Sequence, residues 1–136
     1  MNRICFVIKL NPITKKNSQQ ILLNKATGRP FISQSAKYRV YEKACAVFMP
    51  RLKEPISDAV NVKTVFYSDS RRRVDLSNLQ AAVNDILVKY GVLADDNRNV
   101  IYAQDGSRVF YDKENPRTEI TIEQITTEDV ERWNSK

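Results

Sequence analysis

The sequence predicts one α/β (α+β) domain, a mixed β-sheet carrying two helices in the order β-hairpin-α-β-α-β-β. Three observations predict it. Residues 3–10 and 59–67 alternate apolar and polar positions at the two-residue period of a strand. Two later stretches carry apolar residues at the 3.6-residue period of a helix. The last third is β-rich and broken by Gly and Pro turn signals. At 136 residues the chain is long enough for a single core, so residues 1–136 are assigned to one domain.

Element by element, RICFVIKL (3–10) is the first strand, and the polar NPITKKNSQ (11–19) is a loop. ILLN and RPFI flank a Lys25–Arg29 segment containing Gly28, the pattern of a short hairpin. A helix follows, capped by Ser33 or Ser35. Tyr38, Tyr41, Ala44 or Cys45, and Phe48 form its apolar face, and Pro50 ends it. In the strand AVNVKTVFY (59–67), Val60, Val62, Thr64 and Phe66 face one way, and SDSRRR is a solvated connection. The second helix runs from about 76 to 90 on Leu76, Leu79, Val83, Ile86, Leu87 and Tyr90, with Gly91 as its C′ residue. Beyond it, Asp105-Gly106 is either a tight hairpin or a bulge in one long strand. The bulge is favoured, because DKENP offers a better-placed turn before the strand RTEITIEQ.

Composition excludes several kinds of chemistry. Without histidine, Ser-His-Asp and Cys-His nucleophiles, His-based nucleases and His-ligated zinc are impossible. Cys5 and Cys45 are too few for a structural zinc site and are expected to be buried thiols. Any metal must bind oxygen ligands, which suit Mg²⁺ or Mn²⁺. The net charge of +6 favours a polyanionic partner such as nucleic acid. No run approaches the roughly 20 apolar residues of a membrane span, and the N-terminus lacks a signal peptide's h-region. The expectation is a cytoplasmic protein with no membrane contact and no nucleotide cofactor.

The residues that can carry chemistry stand close together: Arg71, Arg72 and Arg73, then Asp75-Leu-Ser-Asn78, then Asp95-Asp96. Arginines hold phosphate oxygens, and carboxylates hold hard cations that polarise a phosphodiester. Each feature also has a plain structural use. Asp75 stands where a helix N-cap belongs, Asp95-Asp96 fits a turn, and the arginines fit a solvated loop.

The stretch RRRVDLSNLQAAVNDILVKYGVLADDNRNV resembles the signature of the RusA family of Holliday-junction resolvases. That signature is basic residues, then D-L-D-N-L, a helix with an internal D-x-L, then G, an apolar pair and D-D. The downstream strand pair and the N-terminal loop with Pro12 and Asn17 also fit. Similarity is strongest over 71–125 and mostly architectural over 1–67. It implies a RusA-like fold, Mg²⁺-dependent hydrolysis (Mn²⁺ as a substitute) of phosphodiesters in four-way DNA junctions during recombination and repair, and a homodimer.

By position, the family's catalytic aspartates fall on Asp75, Ser77 and Asp96. Asp75, Asp85, Asp95 and Asp96 are then the candidate metal-binding carboxylates. Ser77 and Asn78 support them, and Lys15, Lys16, Asn17 and Arg71–Arg73 contact DNA. Ser77 is a neutral, weaker ligand, and the family's helix lysine falls on Ala81. Asn78 and Asp95 can offset the first change, and Lys15, Lys16 or Lys89 the second. One alternative keeps the junction-binding dimer but makes it catalytically weak or inactive. A third reading is a basic domain for RNA or a protein partner. Geometry adds a condition. A helix of about 15 residues is about 22 Å long, and Gly91–Asp95 covers at most about 17 Å. Asp75 and Asp96 share a site only with a shorter helix, an immediate return of the chain, or a second subunit.

Overall fold

A computed structural model describes residues 3–15, 19–34 and 36–135. The strands are β1 (Arg3–Ile8), β2 (Gln19–Leu23), β3 (Pro30–Gln34), β4 (Val60–Ser68), β5 (Ile101–Ala103), β6 (Arg108–Tyr111) and β7 (Arg117–Gln124). The α-helices are α1 (Ala36–Cys45), α2 (Leu76–Lys89) and α3 (Thr127–Asn134), and a 3₁₀ turn spans Ala46–Phe48.

Strand β4 organises the main sheet. It pairs antiparallel with β7, from Val60 opposite Gln124 to Tyr67 opposite Arg117, and β7 pairs antiparallel with β1. On its other edge β4 pairs in parallel first with β5 and then with β6. Because β5 and β6 run the same way along one edge, Gln104–Ser107 interrupts a single strand path and is not a hairpin. Gly106, at φ +87°, supplies the left-handed residue such an interruption needs.

The period-2 pattern decides which face is buried. Val60, Val62, Thr64 and Phe66 all point into the core, the last three opposite Ile122, Ile120 and Thr118 of β7. Tyr38, Tyr41 and Cys45 of α1 and Leu79, Val83, Ile86 and Leu87 of α2 complete that core. Full burial stabilises by roughly 1.5–3 kcal/mol for each large apolar side chain. Cys5, expected inside, is instead exposed. It lies on the solvent side of β1 opposite Thr121, while Cys45 is buried as expected.

Two further expectations need correction. Ser33 lies within β3 and is not a helix cap, because the strand continues to Gln34; Ser35 lies outside the described residues. A third helix, α3, follows β7. The Thr126 side chain accepts the backbone N–H of Asp129 at 3.1 Å, which starts it. Trp133 stacks on Tyr102 with ring centroids 5.8 Å apart, which holds it to the sheet. The expected hairpin forms from β2 and β3, but as a separate two-stranded sheet. Among the described residues no helix is long and apolar enough to cross a membrane.

The end of α2 positions the acidic residues. Gly91 (φ +75°) donates to the Val88 carbonyl at 3.1 Å, and Val92 to the Leu87 carbonyl at 2.9 Å, a Schellman closure. The returning chain is then fastened to residue 56. Ile56 N–H donates to the Val92 carbonyl and Ala94 N–H to the Ile56 carbonyl, with Val92 and Leu93 buried. The chain therefore turns back at once at the end of α2.

Candidate active site

Strand β4 ends at Ser68, and the connection 69–74 carries the arginines to the start of α2. The N-terminal loop holds this connection in place. Asn11 Oδ1 accepts the backbone N–H of Asp69 at 2.9 Å, and Ser70 Oγ accepts that of Arg72 at 3.0 Å. Between the two segments lies a cavity of about 520 Å³, with Asn11–Thr14 on one side and Ser68–Ser70 and Arg72–Val74 on the other. Arg72, Arg73 and Lys37 give it three cationic side chains against one acid, Asp69. That balance suits a phosphate group. Arg71 points elsewhere, its guanidinium carbon 4.1 Å from the centroid of the Tyr111 ring.

Sequence reasoning did not single out Lys37, Asn11 or Tyr111. Lys37 carried only the weak signal of a basic residue in an acid-free neighbourhood. Asn11 and Tyr111 became meaningful once the fold brought them to residues 69 and 71.

Asp75 occupies the N-cap position of α2, with φ −79° and ψ 127°, yet its carboxylate makes no capping bond. The backbone carbonyl of Asp75 accepts from Asn78 and Leu79, and its Oδ2 accepts a 3.2 Å bond from Asn78 Nδ2. Asp75 is thus the N-cap by position, with its carboxylate engaged by Asn78 and not by the helix backbone. Ser77 is exposed on the first turn and Asn78 is half-buried. Ala81, one turn on from Ser77, is also exposed.

The other acids meet further along α2. Ten residues separate Asp75 from Asp85, about 15 Å along the helix axis. The returning chain sets Asp96 near Asp85, and Asp95 Oδ1 accepts the backbone N–H of Asp96 at 2.7 Å. The Asp96 carboxyl is pushed above the usual carboxylate range by partial loss of solvent, by its hydrogen bond with Asp95 and by the charge of Asp85. Asp96 as a residue is exposed. Asp95-Asp96 lies outside any helix, strand or turn, and the turn comes after it, at 97–100.

Two expected roles meet in one contact. Lys15 Nζ lies 2.5 Å from Asp85 Oδ2, with its side chain also above the Tyr38 ring. Asp85 follows Ala81 by four residues, so the Lys15 ammonium stands about one helical turn from the position where the family signature has its lysine. Lys89, another candidate cation, pairs with Glu42. Lys16 and Asn17, expected on DNA, lie outside the described residues.

The donor chemistry fits a hard divalent cation. All the candidate ligands are oxygens, and the Asp75 carboxylate is not engaged in capping. Among the described residues no three Asp, Glu or Cys side chains converge into a metal-binding cluster. Mg²⁺ does not need such a cage, since it commonly takes one or two carboxylates with water and substrate phosphate oxygens.

A search of the curated proteins finds no significant match. The family model described as endodeoxyribonuclease RusA matches residues 9–123, which takes in the N-terminal loop, the whole Arg71–Asp96 stretch and nearly all of β7. With that match across most of its length, the chain belongs to the RusA family of endodeoxyribonucleases.

Proposed function

We propose that the protein is a Holliday-junction resolvase, a homodimer that hydrolyses phosphodiesters in four-way DNA junctions with Mg²⁺, or Mn²⁺ in its place. The carrying observation is the family match over the segment in which a basic cavity adjoins an aspartate free of its capping role. Arg72, Arg73 and Lys37 hold phosphate oxygens in the cavity, and Arg71, Lys15, Lys16 and Asn17 extend the contact along the backbone. Asp75 and Asp96 are the direct metal ligands, joined at one ion through the second subunit because Asp96 stands by Asp85, about 15 Å along α2 from Asp75. Asp85 and Asp95 are in support, with Ser77 and Asn78 as neutral oxygen donors beside Asp75. Held by these carboxylates, a divalent ion would supply Lewis-acid polarisation of the phosphodiester and activation of water. A homodimer matches the two strands that a junction presents for symmetric cutting.

Ser77 and Ala81 favour a second reading, in which the dimer binds junctions but cuts them weakly or not at all. A synthetic four-way junction incubated with protein and Mg²⁺ separates the two. Cleavage abolished by Asp75→Asn and by Asp96→Asn supports the nuclease. Junction that is retarded in a gel but left uncut supports the binding module.

A further inference from the structure

The β2–β3 hairpin is a two-stranded sheet separate from the main one, and residues on either side of it in the sequence line the cavity just described. Thr14, shortly before β2, and Lys37, shortly after β3, both line that cavity. The tip is locally built. Asn24 N–H donates to the Arg29 carbonyl at 2.9 Å, and Gly28 N–H to the Asn24 carbonyl at 2.7 Å. Asn24 Oδ1 accepts the backbone N–H groups of Ala26 and Thr27, and Gly28 takes the left-handed φ of +71° that closes the turn. Lys25 and Arg29 are exposed on this ordered tip.

Charge along the chain is distributed unevenly. Residues 1–41 hold eight of the 22 basic residues and none of the 16 acidic ones, and the first acid is Glu42. Residues 42–136 are therefore slightly acidic, and the protein's whole positive excess lies in the segment that contains the hairpin. An isolated two-stranded hairpin is marginal in water. A polyanion along its basic tip supplies both charge complementarity and a partner.

We propose that this hairpin is a second DNA-binding element, an arm that lays Lys25 and Arg29 against the phosphate backbone of a duplex arm outside the cleavage site. The inference rests on the DNA-nuclease reading of the chain. The five residues of β3 set the tip about 17 Å from its base, or about five base pairs at 3.4 Å per phosphate along one strand. The arm therefore grips helical DNA beyond the scissile phosphate and adds affinity without reading sequence.

The test uses the full chain in EDTA, so that binding is measured without cleavage. Four-way junction and linear duplex are titrated between 50 and 200 mM salt with wild type, Lys25→Ala/Arg29→Ala and the charge-keeping Lys25→Arg/Arg29→Lys. Each phosphate contact contributes a slope of about 0.9 in log K against log salt. The Ala variant should therefore lose a slope of about 2, making its affinity drop over this range roughly tenfold smaller than wild type's. The Arg/Lys variant should keep the wild-type slope, and sedimentation and thermal melting should be unchanged in both. An unchanged slope in the Ala variant overturns the proposal. So does a shift of that variant to a smaller oligomer, which would assign the arm to a second copy of the chain, with Leu22 and Leu23 as its exposed apolar contacts. Wild type that binds neither DNA at 50 mM salt overturns the underlying DNA reading instead.

Discussion

Replacing Asp75 by Asn separates a catalytic aspartate from a structural one, and the structure sets the size of each effect. A capping side chain bonded to the helix N-terminus contributes about 1 kcal/mol. Asp75 makes no such bond, Asn is an equally good cap, and the 3.2 Å contact from Asn78 can be accepted by an amide oxygen as well. The stability change should stay within about 0.5 kcal/mol. Unfolding entropy for 136 residues is about 290 cal/mol/K, so the Tm should move by no more than about 2 °C. Cleavage of a four-way junction should fall at least about 100-fold, equivalent to about 2.7 kcal/mol of barrier. Differential scanning fluorimetry and a single-turnover cleavage assay on the same preparation give both numbers. A Tm drop of about 4 °C or more with a matching loss of activity would make Asp75 structural. Unchanged cleavage would remove it from the site.

The raised Asp96 carboxyl predicts a pH-dependent stability effect. A folded-state pKa above the unfolded value gives stability that is present at acid pH and lost as pH rises through the folded pKa. Asp96→Asn should therefore raise the Tm at neutral pH and leave it unchanged well below pH 4, while abolishing the Mg²⁺-induced rise in Tm expected of wild type. That Mg²⁺ increment should itself shrink as the carboxylates protonate, which a thermal-melt series across pH measures. Gly91→Ala places a side chain at φ +75° with open space around it, so backbone strain alone should cost about 1–2 kcal/mol and lower the Tm by roughly 3–7 °C. Junction cleavage per folded molecule should be retained. Lys15→Ala breaks an ion pair whose side chains are 33% and 42% exposed, so solvent screening holds the cost below about 1 kcal/mol and the Tm loss to about 3 °C. A larger loss in a melt would mean that Lys15 fastens the N-terminal loop.

Most of the fold was legible because periodicity and turn chemistry agreed. The alternation in 59–67 placed Val60, Val62, Thr64 and Phe66 on the buried face of β4, and Gly91 marked the end of α2. The short α3 escaped because eight residues carry a weak periodic signal, although Thr126 with Glu128 and Asp129 was a readable start. The position of Cys5 was missed because local apolar character does not tell which face of an outer strand meets solvent.

In the site, residue types pointed to Asp75 and the arginines, but partnerships across the fold were not readable. Nothing local links Lys15 to Asp85, 70 positions away, or Arg71 to Tyr111. The parting of Arg71 from Arg72 and Arg73 likewise depends on β6 running beside β4 and on Asn11 holding the connection at Asp69.

The central claim is that this RusA-family chain cuts four-way junctions with a divalent metal held by its aspartates. Wild-type protein should be incubated with an end-labelled synthetic junction and, separately, with its linear duplex, each with Mg²⁺ and with EDTA. The account predicts paired nicks in the junction only when Mg²⁺ is present, with the duplex intact. A junction that is bound but uncut in Mg²⁺, or cut equally in EDTA, would contradict it.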